Sequence, residues 1–200
     1  AERAPSGGQG EALGGQGRAE PVAICRLKRV AADHKEDITS RLPSARPKNG
    51  KRIACVGAGP SSLTLARDLA PLGYEVTVFD ADPKAGGFMR TQVPRFRLPE
   101  SVIDEEVGYI LRDNVRFVGG TRIGSMKTLL EDRTNGGWDA IFVGSGAPRG
   151  RELDVPGRRE AAAQIHLGLD WLASVYFGHV AKVGKRVVVL GGGNTAMDCC

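Results

Sequence analysis

The feature that most constrains the fold is a glycine-rich loop, residues 57–62, placed between a short apolar run and a helical pattern. The apolar run, 52–56, is typical of a buried strand, and apolar residues of 63–70 recur on one helical face. Gly73 is placed to end that helix, and residues 74–80 alternate as a strand does. Strand, glycine turn, helix and strand form a βαβ unit, whose strands lie parallel. The sequence therefore predicts an α/β fold with a doubly wound sheet.

The glycines of this loop meet the requirements of a dinucleotide-binding turn. A pyrophosphate must approach the backbone closely at a helix N-terminus, where free N–H groups and the helix dipole stabilise its charge. Gly57 and Gly59 leave room for that approach, and Ser62 is a small residue where helix and strand must pack. Asp80 ends the second strand, where an acid accepts hydrogen bonds from ribose hydroxyls. The alternative is an ordinary glycine turn, but this context favours a Rossmann-like dinucleotide site.

A second glycine loop of the same kind lies close to the end of the sequence. Residues 185–190 contain three consecutive β-branched valines and predict a strand, and Gly191, Gly193 and Ala196 follow at the fingerprint spacing. Two dinucleotide folds in one chain are the arrangement that brings a flavin and a nicotinamide together. Because the sequence stops in the first turns of the second helix, we expect it to be a fragment, or the ordered part, of a longer protein.

Other segments are predicted from their patterns. Residues 140–143 predict a buried strand that runs into Gly144 and Gly146, and residues 168–176 predict a helix. The acidic run 104–106 is interpreted as the solvated start of another helix.

The first 50 residues differ in composition from the rest. Residues 1–20 are rich in glycine and poor in large apolar side chains, so we expect a flexible or externally held segment. Residues 21–38 predict one helix with Pro21 in its first turn, and 39–50 predict a proline-rich linker.

The charge and hydropathy patterns exclude several classes of protein. The net charge is only +5 and the charges are mixed along the chain, which gives no case for nucleic-acid binding. The sequence contains neither an 18-residue apolar run nor a signal-peptide pattern. We therefore expect a cytoplasmic protein without a membrane span.

Nothing in the cysteine and histidine pattern predicts a metal centre or a side-chain catalyst. Cys25, Cys55, Cys199 and Cys200 include no CxxC pair and are too few in one place for a zinc or iron–sulfur site. The three histidines are scattered, and hydride transfer to a flavin requires none. We therefore expect no metal ligands and no catalytic side chain in this chain.

Several longer motifs together resemble one family, that of the glutamate synthase small (β) subunit. They are VGAGPSS at 56–62, AGG at 85–87, VPRFRLP at 93–99, DAIFVGSGAPRGRELDVPG at 139–157 and VVVLGGGNTAMDC at 187–199. Similar flavoprotein modules occur in dihydropyrimidine dehydrogenase and in NADH-dependent ferredoxin:NADP oxidoreductases. The resemblance implies FAD at the first glycine loop and NAD(P)H at the second. It also implies either that 4Fe–4S clusters lie upstream of this sequence or in a partner, or that this member of the family lacks them.

Carried over position by position, the resemblance implies a set of cofactor-binding residues. They are Gly57, Gly59, Pro60, Ser61, Ser62, Asp80, Gly86, Gly87, Phe88, Arg97, Ile123, Gly144 and Gly146 for FAD, with Gly191, Gly193, Asn194, Thr195 and Ala196 for the nicotinamide cofactor. The sequence departs from the family at three places. Glu is frequent where Asp80 stands and Asp where Asn194 stands, and the cluster cysteines expected near residues 21–33 are absent.

The resemblance also implies a domain plan and a function. Residues 21–49 match the tail of an iron–sulfur helical domain, 50–157 an FAD-binding domain, 158–180 a connector and 181–200 the start of an NAD(P)-binding domain. The expected function is electron transfer between NAD(P)H and an iron–sulfur chain of the same protein or of a partner subunit in a larger redox complex. Two alternatives remain open: a stand-alone flavin reductase of a small molecule, and a subunit that binds dinucleotide without catalysis.

Overall fold

A computed structural model describes residues 21–132 and 137–200, which fall into two compact units divided after Leu42. The first unit contains helix α1 (Ile24–Asp33) and a 3-10 turn at Thr39–Arg41. The elements of the second unit are, in chain order, β1 (Arg52–Val56), α2 (Pro60–Leu69) with a 3-10 turn (Ala70–Leu72), β2 (Glu75–Phe79), α3 (Phe88–Thr91), α4 (Glu100–Ile110), β3 (Val115–Val118), α5 (Met126–Glu131), β4 (Ala140–Val143), a 3-10 turn (Ala162–Gln164), α6 (Gly168–Tyr176) and α7 (Asn194–Cys199).

The four strands form one parallel sheet in the order β3-β2-β1-β4. In the central pair, Arg52 faces Glu75 and Val56 faces Phe79. The chain begins this sheet at β1 and extends it first to one side and then to the other, which is the doubly wound arrangement. The predicted α/β fold class is confirmed, and the carboxyl ends of all four strands meet at one edge.

Burial explains why these segments became strands and helices. Cys55, Val76 and Val78 in the two central strands are fully or almost fully buried, as expected for a parallel sheet covered by helices. Leu63 and Ala66 of α2 belong to the same core, so the predicted apolar face of that helix is the face that packs. Two other core positions, Ile103 and Val107, come from α4.

Three element predictions require correction. The N-terminal helix begins at Ile24 rather than at Pro21 and ends at Asp33, where the backbone leaves helical geometry. Helix α4 begins at Glu100, directly after Pro99, so the acidic run 104–106 lies within the helix on its exposed side and not at its start. Pro99 is the N-cap residue of this helix, so the helix begins four residues before Asp104, the predicted start.

The largest difference concerns residues 185–190, which were predicted to be a strand. They have no strand hydrogen bonding, and Val188 is 83% exposed. A strand is defined by its ladder, and among the described residues no neighbouring strand pairs with this run. β-branched composition alone did not suffice, because β propensity depends on the surface that a strand packs against.

Two remaining predictions concern segments outside this sheet. The expected flexible segment, 1–20, lies outside the described residues. In the ranges that the structure describes, no helix combines the length and apolar character needed to cross a bilayer.

Candidate dinucleotide-binding site

Three glycine-containing loops converge at the carboxyl edge of the sheet. Gly57 follows β1 and its N–H donates to the carbonyl oxygen of Phe79 at 2.8 Å, while the N–H of Gly144, after β4, donates to that of Val56 at 2.8 Å. The N–H of Gly86 donates to the carbonyl oxygen of Ala58 at 2.9 Å. Ligands of doubly wound sheets bind at this edge, where strand order reverses on either side of the first strand.

Two positions in these loops, Gly57 and Gly87, leave no space for a Cβ atom. Gly57 has φ +96°, and a Cβ atom there would overlap the carbonyl oxygen of Gly144. Gly87 has φ +52°, and a Cβ atom there would lie 2.8 Å from the Cα of Gly59. Left-handed backbone is unfavourable for residues with a Cβ, and the space is already filled by backbone. The two glycines therefore let three chain segments meet at van der Waals distance.

The N-terminus of α2 carries N–H groups of the kind that can bind an anion. Gly59 is the N-cap residue and Pro60 the first helical residue, and a Cβ placed on Gly59 would point into open space. The first N–H groups of a helix have no intrahelical acceptor, and that of Ser61, an exposed residue, is available to a ligand. A ten-residue helix with a free N-terminus beside a glycine turn is the standard phosphate-binding arrangement.

Asp80 holds the glycine loop directly, which the sequence did not reveal. One carboxylate oxygen accepts from the N–H of Ala58 at 2.5 Å, and the other accepts from the N–H of Asp82 at 2.9 Å. Burial, together with the charge of Asp80, raises the pKa of Asp82. Each oxygen keeps a second lone pair, so the predicted contact with a ribose is compatible with these bonds.

The loop after β3 joins the same edge and carries Ile123. The N–H of Thr121 donates to the carbonyl oxygen of Asp80 at 2.7 Å, and the N–H of Gly120 donates to that of Asp82 at 3.0 Å. Ile123 is half-buried two residues later. The chain after β3 is thus fixed to the segment that follows β2.

Ser62, at the third fingerprint position, is fully buried in the first turn of α2. Its hydroxyl has no hydrogen-bond partner, and a Cβ on Gly144 would overlap its Oγ atom. Only a small residue fits here, which is why helix–strand packing at this position normally uses glycine or alanine.

A buried arginine beside the site was missed by the sequence analysis. Arg90, in α3, is 3% exposed; its Nε donates to the carbonyl oxygen of Ala85 at 2.7 Å. Its two Nη atoms donate to Glu100 at 3.0 Å and to Asp104 at 2.7 Å. Glu100 also accepts from Tyr176 of α6 at 3.0 Å. The only sequence signal was a lone arginine three residues after a glycine pair.

The second glycine loop has a different setting. Gly191 has φ +132°, and Gly193 is the N-cap of α7, whose first residues Asn194 and Thr195 are exposed. The predicted strand before this loop is absent, as described above. Ala196, at the third fingerprint position, lies close to Gly191, because a Cβ there would be 3.3 Å from the alanine Cβ. The second glycine loop is followed by a helix, as predicted, but residues 185–190 before it do not form the predicted strand.

Three other predicted FAD residues are Phe88, Gly146 and Arg97. Phe88 begins α3 directly after Gly87 and is exposed, while Gly146 has positive φ and open space around its Cβ position. Arg97 forms an ion pair through Nε with Asp198 of α7. A cavity of about 390 Å³ lies between residues 92–96, α6 and α7, and Asp198 is among its lining residues. Segment 92–97 therefore faces the helix of the second loop.

Two thiols of this unit, those of Cys55 and Cys199, have raised pKa values. Burial raises the pKa of Cys55 to about 11, and burial also raises the pKa of Cys199. In the part of the chain that the structure describes, no three His, Cys, Asp or Glu residues are grouped as metal ligands would be. All four cysteines are free.

Comparison with protein families and curated proteins also indicates a dinucleotide-binding fold around the first glycine loop. The model of the NAD(P)-binding Rossmann-like domain matches residues 55–114, which contain the first glycine loop and Asp80. The β subunit of the NADPH-Fe(3+) oxidoreductase of Geobacter sulfurreducens is 36% identical, over 90% of this chain and 27% of that protein.

Two other relatives have comparable coverage. The β subunit of the NADP(+)-dependent formate dehydrogenase of Moorella thermoacetica is 34% identical over 90% of this chain and 28% of its own length. The small chain of the NADPH glutamate synthase of Mycobacterium tuberculosis is 29% identical over 90% of this chain and 39% of its own length. The chain thus spans between about a quarter and two fifths of these relatives. The resemblance to the glutamate synthase small-subunit family is confirmed, and the chain is similar to it over nine tenths of its length.

Proposed function

We propose that this chain is part of an electron-transfer oxidoreductase that binds FAD at the first glycine loop and NAD(P)H at the second. The observation that carries the proposal is the convergence of the Gly57–Gly59 loop, the N-terminus of α2 and the Gly86–Gly87 turn beside Asp80. When bound, FAD supplies hydride acceptance from NAD(P)H and release of electrons one at a time to iron–sulfur clusters.

The residues of the first loop fit the dinucleotide part of FAD. The N–H of the exposed Ser61 lies in the first turn of α2, where the positive end of the helix dipole would stabilise the pyrophosphate charge. Gly59 leaves the approach open. Asp80 is fixed by two backbone N–H groups, so its carboxylate needs no rearrangement to accept from a ribose hydroxyl.

The segment 92–97 and α7 support a second nucleotide close to the first. Arg97, which we assign to FAD, is paired with Asp198 in the helix that follows the second loop. The backbone around Gly193 and Asn194 would contact the nicotinamide cofactor, as the fingerprint predicts. The role of the protein is to bring the two rings together and to exclude water; no side chain is assigned to proton transfer.

The relatives support a place in a larger redox enzyme. Those compared above are named as β subunits or as a small chain, and each name contains NADPH or NADP(+). We propose that electrons leave through iron–sulfur clusters of the same protein or of a partner subunit. One NAD(P)H delivers two electrons and releases one proton on balance when two one-electron clusters are reduced.

An anaerobic titration of the full-length protein with NADPH, and separately with NADH, tests this proposal. Bleaching of the visible flavin bands by one nucleotide, followed by bleaching of broad iron–sulfur absorbance, is the expected result. Flavin bleaching without iron–sulfur absorbance would instead favour a stand-alone flavin reductase. Bound flavin that neither nucleotide reduces would favour a non-catalytic role, and a protein that binds no flavin would refute the assignment of the first loop.

A further inference from the structure

Arg90 is the most thoroughly buried charged side chain near the candidate site. A buried guanidinium is costly unless every donor has an acceptor, and an arginine this buried is uncommon in proteins. Here the three nitrogen atoms bond to three different acceptors: the Ala85 carbonyl, Glu100 and Asp104, at 2.7, 3.0 and 2.7 Å. This arrangement engages all three nitrogen atoms of the planar guanidinium.

The backbone that Arg90 holds is the Gly86–Gly87 turn. Ala85 directly precedes the turn, and a Cβ on Gly86 would lie 3.1 Å from the Cβ of Arg90 and 3.2 Å from its Nε. On the other side of the turn, the N–H of Thr91 donates to the Gly87 carbonyl at 3.0 Å. The turn is thus enclosed between the arginine side chain and the first turn of α3.

The Gly86–Gly87 turn lies against the first glycine loop. Gly87 lies against the backbone of Gly59, the N-cap of α2, and the N–H of Gly86 donates to the Ala58 carbonyl. A shift of the 85–87 backbone would therefore change the shape of the proposed pyrophosphate site beside Gly59. Misplacement of a binding group by about 1 Å is enough to cost much of its interaction.

One acceptor of Arg90, Glu100, also accepts hydrogen bonds from two other side chains. Glu100 accepts from Lys84 at 2.8 Å and from Tyr176 at 3.0 Å, and the guanidinium of Arg95 lies 5.1 Å from the centre of the Tyr176 ring. The cluster therefore joins α3, α4 and α6. Since α6 packs against α7, which follows the second glycine loop, the same cluster connects both halves of the proposed enzyme.

We propose that Arg90 is a positioning residue of the flavin site, which sets the Gly86–Gly87 turn against the start of α2 without touching the cofactor. This inference rests on the proposed FAD site and assigns a function to a residue outside the fingerprint. Lysine cannot replace it, because an ammonium lacks the planar fork that reaches the Ala85 carbonyl and two carboxylates together.

The first test is Arg90→Lys in the full-length protein, with Arg67→Lys as the matched control. Arg67 is an exposed arginine near the end of α2, and its Nε is paired with the neighbouring Asp68. After removal of flavin, the Kd for FAD is measured by fluorescence quenching. The flavin midpoint potential of the reloaded protein and the thermal unfolding of the flavin-free protein are measured alongside.

We expect Arg90→Lys to raise the Kd for FAD about tenfold, as loss of hydrogen bonds from a charged donor does, and to shift the flavin potential. Arg67→Lys leaves both unchanged. Lower thermal stability with an unchanged Kd and potential would overturn the inference and leave Arg90 a purely structural residue. The proposed function would survive that result, whereas a wild-type protein that binds no FAD would end both.

A second variant keeps the test valid if Arg90→Lys fails to fold. Asp104 is 53% exposed and lies at the outer end of the cluster, and Asp104→Asn keeps an oxygen acceptor for Arg90 but removes its negative charge. We expect the Kd for FAD to rise about threefold. The neighbouring acid Glu106, as Glu106→Gln, is the control on the same exposed side of α4. Equal Kd values for both variants would overturn the inference.

Discussion

Arg97 and Asp198 form an ion pair whose two members differ sharply in exposure. The arginine side chain is 44% exposed, whereas the aspartate is 10% exposed. The pair connects the segment before α4 to the last helix of the chain. Because a buried charge depends on its partner far more than a solvated one does, the two residues contribute unequally to stability.

Replacement of either residue tests this asymmetry. Arg97→Met leaves a buried carboxylate unpaired, and we expect it to lower the free energy of unfolding by about 2 kcal/mol. Asp198→Asn leaves an arginine that water can solvate, and we expect a loss below about 1 kcal/mol. Urea unfolding of the flavin-free protein measures both.

The double variant provides the internal control. Arg97→Met combined with Asp198→Asn removes the unpaired charge, so we expect it to be more stable than Arg97→Met alone. Equal losses for the two single variants, or simple addition in the double variant, would show that the pair is not coupled in this way.

Gly57 is the position where the glycine loop is least tolerant of change. Gly57→Ala places a Cβ on a residue with φ +96° and against the backbone of Gly144. We expect a loss of about 3 kcal/mol or more in the free energy of unfolding, because backbone strain and steric overlap both oppose the native loop. Chemical unfolding, with FAD binding measured in parallel, gives the answer.

Gly50→Ala separates strain from overlap. Gly50 also has positive φ, at +77°, but a Cβ there would meet nothing within 4 Å. We expect a loss of only about 1 kcal/mol and normal FAD binding. Similar losses at both positions would mean that the contact between Gly57 and Gly144 contributes little.

The parts of the site that follow from backbone requirements were predictable from the sequence, and those that follow from tertiary packing were not. Gly57 and Asp80 are fixed by local geometry that any turn of this kind needs, so their spacing carried the prediction. The role of Arg90 could not be predicted, because its cluster depends on contacts between distant parts of the chain. Arg90 and Tyr176 both donate to Glu100, and Tyr176 lies 76 residues from Glu100 in the sequence. The strand predicted at 185–190 was wrong because a strand also needs a neighbour.

The four thiols should differ in reactivity in a way that reports on the central strand. Cys55 is buried in β1, and its pKa of about 11 leaves only about one thousandth of the thiol ionised at about pH 8. Cys25 and Cys200 are exposed. We expect iodoacetamide to modify these two in the native protein and Cys55 only after denaturation. Mass spectrometry of the digested protein measures this, and rapid native labelling of Cys55 would contradict the structure.

Glu100 gives the cluster around Arg90 a defined pH dependence. Hydrogen bonds from Lys84 and Tyr176 lower the pKa of Glu100 to about 2, below the value of 4.5 for an unperturbed group. The folded state therefore favours the ionised form, and its stabilising effect is complete above about pH 4.5. The effect decreases as the pH falls from there and is lost below about pH 2, where both states are protonated.

Glu100→Gln isolates this contribution, since glutamine has similar size and cannot ionise. We expect the variant to be less stable than the wild type at about pH 7, and the difference in free energy of unfolding to shrink steadily between about pH 4.5 and about pH 2. Glu105→Gln, on the exposed side of the same helix, is the control for the replacement of an acid of α4 by an amide. Because Lys84 is itself largely exposed, added salt should reduce the difference at neutral pH. A difference that stayed constant with pH would mean that Glu100 acts through packing alone, and Arg90 would then be held by shape and not by charge.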